Sequence, residues 1–510
     1  MSGRKRLSGV LVLAAIGLLC APRAWAHVGS PDVYAEGSAG PYKLSVVIRP
    51  PLVIPGVAEV DVRAETPGIR HISITPLALV GEASKHPPTP DAMKTTTTDP
   101  NYFSGQLWIM APGSWQIRIA ADGAAGHGGW SVPLPAVAMG TRKMQPGLGA
   151  LLALLGVILI VGMTGIVGAA AREAQLAPGE APSGKRRRSA LISMTVTLAV
   201  LVAAVVLGDM WWKADAAGYS QEVYKPLAMQ ASLAPGNVLR LKMIDPGWVR
   251  QRHLDDFIPD HNHLMHLYMI RWPQMDVVFH LHPQPVGTGE FDLTLPTMPA
   301  GDYHLYADVV HANGFPETMV ANADLPAIQG RALSGDDAEG QGTPVGNEAA
   351  LEKVSATDTK ESFALPDGYT MVWNRPVVLT ARAPEDFSFT LLDRSGHPAE
   401  DTQLYMGMLG HAAFVKNDGT VFAHIHPSGT MAMAALMMAQ QENQPSNSSG
   451  SAPSDAMAGM DMGAGSGQLP SSVSFPYGFP TPGRYRIFVQ MKHEGLVETG
   501  IFDAGVAAGR

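Results

Sequence analysis

The chain has 510 residues, 16% of them charged, a formal net charge of −9 and one cysteine. Its basic residues form no extended stripe, which argues against a nucleic-acid partner. Cys20 lies in the leader, so the mature protein is expected to hold no disulfide, haem-attachment pair, iron–sulfur centre or thiolate copper site.

Residues 1–26 read as an export signal, with Arg4, Lys5 and Arg6, an apolar run from Val10 to Cys20, and Ala24-Trp25-Ala26 as a small-x-small cleavage site. The alternative is an uncleaved anchor helix, for which the run is short. Cleavage after Ala26 would leave His27 first, and its amine and imidazole together suit one copper ion. His71, His86 or His127 are candidates to complete that site.

Residues 27–147 predict a β-sandwich, because Tyr42 to Ile48, Ala58 to Arg63 and Trp115 to Ile119 alternate and Pro-Gly turns separate the runs. Residues 148–171 and 189–208 carry no charge and are long enough to cross a hydrocarbon core of about 30 Å. Arg172 and Lys185 to Arg188 between them predict a cytoplasmic loop over 172–188. Trp211 and Trp212 suit the outer interface. The expectation is a bacterial inner-membrane protein with both large segments on the periplasmic or extracellular side.

After the second span, landmarks recur in order. His266, His280-Leu281-His282-Pro283, Tyr303, His311 and Glu317 in residues 216–325 match His411, His424-Ile425-His426-Pro427, Tyr485, His493 and Glu498 in residues 363–510. The Tyr-to-His spacing is eight residues in both, which points to duplication. Residues 326–362 are acidic and Gly-rich and read as a flexible linker; residues 428–470 are a Met-rich insertion expected to lack order. The fold class expected is mainly β: three Ig-like or cupredoxin-like sandwiches and two transmembrane helices.

Each copy predicts a hairpin whose histidines share a face. Residues two apart on a strand point the same way, and cross-strand neighbours sit about 5 Å apart at Cβ. His266, His280 and His282 therefore converge, with His311 as a possible fourth ligand. His411, His424, His426 and His493 do the same in the second copy. Such sets suit Cu(II), with zinc as the alternative. The structural alternative is that these imidazoles bond loop carbonyls at the strand exits. His261 and His263 have Met406 and Met408 as counterparts and suggest a further, asymmetric site. Met457, Met460 and Met462 offer soft thioethers for Cu(I).

With its leading His27 and its Gly105 to Trp108 and Gly113 to Ile117 strands, the first segment resembles the small periplasmic copper-binding sandwiches of the CopC and YtkA-like type. The repeats, with His-x-His-Pro and Pro-Gly-x-Tyr landmarks, are similar to bacterial secreted proteins grouped with heavy-metal resistance; the second copy departs from their Leu-Met-His with Leu409-Gly410-His411. The resemblance implies metal handling and no particular reaction. The expected function is copper buffering, delivery or resistance, with another envelope metal-handling protein as a partner. The alternatives are a structural sandwich protein of the envelope and a copper-dependent oxidase.

Overall fold

The computed structural model describes residues 31–96, 98–250, 252–345, 359–441 and 468–509. The expected signal, His27, Met457, Met460 and Met462 lie outside the described residues. The chain is mainly β, built of several sheets and two long apolar helices.

The first sandwich faces a five-stranded sheet against a four-stranded one. Along Gly56–Ala64, Ala58, Val60, Val62 and Ala64 are buried, while Glu59 and Arg63 face water. The opposing strand Gly113–Gly123 buries Ile117, Ile119 and Ala121 against them. Each buried aliphatic side chain contributes about 1.5–3 kcal/mol, and this two-sided core defines the domain.

Helices α1 (Pro146–Glu173) and α2 (Gly184–Glu222) are long and apolar enough to cross a membrane. Their apolar side chains point outward and are largely uncovered by the rest of the chain. Pro146 opens α1, where a missing N–H costs nothing, and the Ser183 hydroxyl caps α2 by accepting from the Arg186 N–H. Both helices exceed the apolar windows predicted for them. On α2, Asp209 and Lys213 pair at 2.7 Å one turn apart, and the polar end continues helically to Glu222. That end is fastened to the first sandwich, where the Tyr219 hydroxyl bonds both the N–H and the C=O of Ile54 at 3.1 Å. The Tyr224 N–H then donates to the Ala138 carbonyl at 2.8 Å. The helices thus form a hairpin, with the described β-structure at one end of it.

The two histidine-bearing units each pack a four-stranded sheet onto their part of one shared twelve-stranded sheet. In the first unit, Leu267, Met269, Phe279 and Leu281 face the unit's own core. In the second, Ala412, Phe414 and Ile425 do so. The alternate residues Tyr268, Ile270 and Val278 pack instead against Ala413, Val415 and Phe422 of the other unit, and Tyr306 stacks on Phe422 at 4.3 Å. These strands are buried on both faces, which explains why His266 to Ile270 is almost wholly apolar rather than alternating.

Residues 326–345 of the expected flexible linker are folded into the structure. Its strand Ala338–Gln341 pairs antiparallel with Val277–Leu281 and parallel with Leu496–Ala507, joining the two units into one sheet. Backbone pairing overrides the acidic, Gly-rich composition, and Gly340 is required because a Cβ there would lie 2.7 Å from the Thr499 side chain. In the insertion, expected to lack order, α3 (Met433–Gln441) packs on the first sandwich.

Candidate metal centre

The histidines sit on the strand faces that point away from each unit's own core. Since those faces meet, the units' imidazoles gather in one place. His261, His263, His266, His280, His282, His411, His424 and His426 form a continuous cluster with neighbouring ring centroids 3.7–6.4 Å apart. Two triads within it bring one nitrogen per ring to within 4.8 Å of one another: His266 with His280 and His282, and His261 with His411 and His426.

His261 and His263 enter through a tight turn. The Asp260 and His263 backbones exchange hydrogen bonds of 2.9 Å, and His261 and Asn262 take positive φ. The second unit makes the matching turn between Tyr405 and Met408. The two turns meet where His261 Nδ1 lies 2.7 Å from the Met406 carbonyl. The His-x-His spacing of His261 and His263 was the available signal for their part in the cluster.

Most rings are held by one nitrogen. His282 Nδ1 is 3.2 Å from Asp337, His263 Nε2 is 3.2 Å from Asp336, and His426 Nδ1 is 3.0 Å from the Met431 carbonyl. The units also exchange supports. Asp308 of the first holds His424 Nδ1 at 3.2 Å, and Gln490 of the second holds His280 Nδ1 at 2.9 Å. Tyr405 reaches His280 Nδ1 at 3.2 Å while donating to the Asp336 carbonyl. On the inward side, Nε2 of His261, His282, His424 and His426 and both nitrogens of His411 are buried without a hydrogen-bond partner. His266 and His280 bond each other at 3.1 Å. An imidazole fixed through one nitrogen, with the other aimed at a shared interior point, is the arrangement a metal ligand requires.

Burial holds the His266, His280, His411 and His426 pKa values well below the usual imidazole range, and neighbouring imidazoles add to it. His261 and His282 are lowered too, chiefly by burial. These rings are therefore neutral near neutral pH, and those of His261, His282, His411 and His426 each have a nitrogen free of any hydrogen bond for coordination. A cavity of about 470 Å³, lined in part by Leu79, Phe315 and Met431, reaches His266, His424 and His426.

His311 and His493 do not join the cluster. His266 pairs with Asp308 and His411 with Gln490, so His311 and His493 lie three residues further along their strands. That is about 10 Å along the strand and on its opposite face. His311 instead donates to Asp256 at 2.6 Å and Glu317 at 3.0 Å. Burial opposes charge on His311, but those carboxylates outweigh it and raise its pKa. Glu317 also accepts from Tyr224 at 2.5 Å and Arg252 at 2.6 Å. His493 stacks on Tyr369 at 4.0 Å, with Asp367 and Glu498 each 3.6 Å away. Its pKa is likewise raised against burial by those carboxylates. In the first sandwich, His71, His86 and His127 are all exposed; His127 bonds Asp122 at 2.8 Å, and His86 lies near Glu82.

A family model described as a domain of unknown function (DUF8832) matches residues 364–508, the second histidine-bearing unit. No curated protein matches the chain. Among solved structures, the ICAM-5 D1–D4 ectodomain fragment is 8% identical, with 89% of this chain and 74% of that chain covered at a TM-score of 0.13. Dimeric latent PorU from Porphyromonas gingivalis is 9% identical, with 94% and 34% covered at a TM-score of 0.14. Likenesses this weak bear on neither fold nor function.

Proposed function

We propose that this protein is a membrane-anchored copper-binding protein that holds the metal outside the cytoplasm for buffering, delivery or resistance. The observation that carries the proposal is the set of buried cluster nitrogens without partners, on His411 and on His261, His282, His424 and His426, whose rings are held through the other nitrogen by carboxylates and carbonyls. A buried polar atom left unpaired costs about 1–3 kcal/mol, and coordination would recover that cost at several atoms together. An all-imidazole set with no thiolate suits Cu(II), and Zn(II) competes for the same donors. Arg172 near the end of α1 and Lys185 to Arg188 in the first turns of α2 support a cytoplasmic position for that end of the hairpin, with the β-structure at the other end outside. The shared landmarks and matching strand registers of the two units support descent by duplication.

The test is copper titration of the full chain in detergent, with bound metal measured after desalting. The wild type retains stoichiometric copper, and the His280→Gln/His282→Gln variant retains less. Equal retention by both, or no retention by the wild type, would refute the proposal. The cavity that reaches His266, His424 and His426 supports a second reading, a copper-dependent oxidase, which oxygen consumption by the copper-loaded protein would reveal.

A further inference from the structure

We infer that the cluster is a single two-ion centre built jointly by both units, rather than one mononuclear site in each. This rests on the metal-binding reading above and adds to it the number of ions and their ligands. His266, His280 and His282 form one triad and His261, His411 and His426 the other, each with donor atoms within 4.8 Å. The second triad crosses between units, since His261 belongs to the first unit and its companions to the second. Neither unit alone contains it.

Both triads carry unpartnered buried nitrogens: His282 Nε2 in one, and His261 Nε2, His426 Nε2 and both His411 nitrogens in the other. An ion in the first triad alone would leave the four unpaired nitrogens of the second buried, and an ion in the second alone would leave His282 Nε2 buried and unpaired. The triads also adjoin. His261 and His266 have ring centroids 6.1 Å apart, and His280 and His411 6.4 Å. The His424 ring stands among them, 5.4 Å from His266, 5.5 Å from His280, 5.6 Å from His411 and 4.7 Å from His426. Its Nε2 is buried without a partner, so it serves as a fourth donor to either ion.

The surroundings supply charge for more than one divalent ion. Asp308, Asp336 and Asp337 each bond a cluster ring through a carboxylate oxygen, and Asp260 is buried beside them. A bound pair of ions would therefore tie the two units together at their shared face.

The test loads the full-length protein in detergent with Cu(II) and compares total copper with the copper visible by electron paramagnetic resonance. Two ions this close couple magnetically, so the wild type is expected to bind two copper ions per chain and to lose signal relative to total copper. His280→Gln/His282→Gln and His411→Gln/His426→Gln should each bind one ion, with the full signal restored. A wild type that binds one ion, or two with undiminished signal, overturns the two-ion centre and leaves metal binding intact. A wild type that binds none removes both readings. The wild-type measurement decides the matter even if a variant fails to fold.

Discussion

Acid should destabilise the metal-free protein in a defined window. His266, His280, His411 and His426 are buried with pKa values held well below the usual imidazole range, first by burial and then by one another. In the unfolded chain they titrate near pH ~6.5. Below that value the unfolded state binds protons that the folded state does not, so stability falls as pH falls. Between about pH 6.5 and about pH 5.5, each such ring contributes a loss of about 1 kcal/mol, or about 4 kcal/mol for the four. That is a large share of a domain's total of about 5–15 kcal/mol. His311 and His493 act in the opposite sense. Their raised values add stability below about pH 6.5 that is lost as pH rises through their folded values. The metal-free units should therefore be most stable near about pH 6.5. Hydrogen exchange at His266–Trp272 and His411–Lys416, corrected for the intrinsic rate, reads this locally despite the several domains. Protection equal at the two pH values would refute the claim that these rings are held neutral by burial.

Glu317→Leu should cost about 3–5 kcal/mol, because the buried Arg252 and His311 lose their shared carboxylate, yet leave copper stoichiometry unchanged. Denaturation and metal analysis of the same sample check both halves. Phe422→Ala should cost about 3–5 kcal/mol by removing the ring stacked on Tyr306 between the units, and should weaken copper retention as the faces loosen. Gly429 has φ 129°, and a Cβ there would lie 1.9 Å from the Tyr34 carbonyl oxygen. Gly429→Val should therefore detach the second unit from the first sandwich, seen as new protease cleavage between them while both domains stay folded. A cysteine placed at Gly179, in the loop between α1 and α2, should react with an impermeant maleimide only after the membrane is opened; labelling of intact cells would reverse the proposed orientation.

Much of the architecture was legible in local chemistry. Alternation in Tyr42 to Ile48 and Ala58 to Arg63 specifies strands with one buried face, and the charge-free stretches within α1 and α2 specify long apolar helices. Hairpin periodicity also brought His266, His280 and His282 to one face, since side chains two apart on a strand must share it. Periodicity says nothing about what that face meets. Only the tertiary structure turned the histidine faces of the two units toward each other, merging two expected sites and drawing in His261 and His263. Register, fixed by pairing across strands, put His311 and His493 three residues beyond the cluster and among carboxylates instead. The supporting Asp336 and Asp337 come from a segment whose composition reads as linker, because its order depends on a sheet edge far away in sequence.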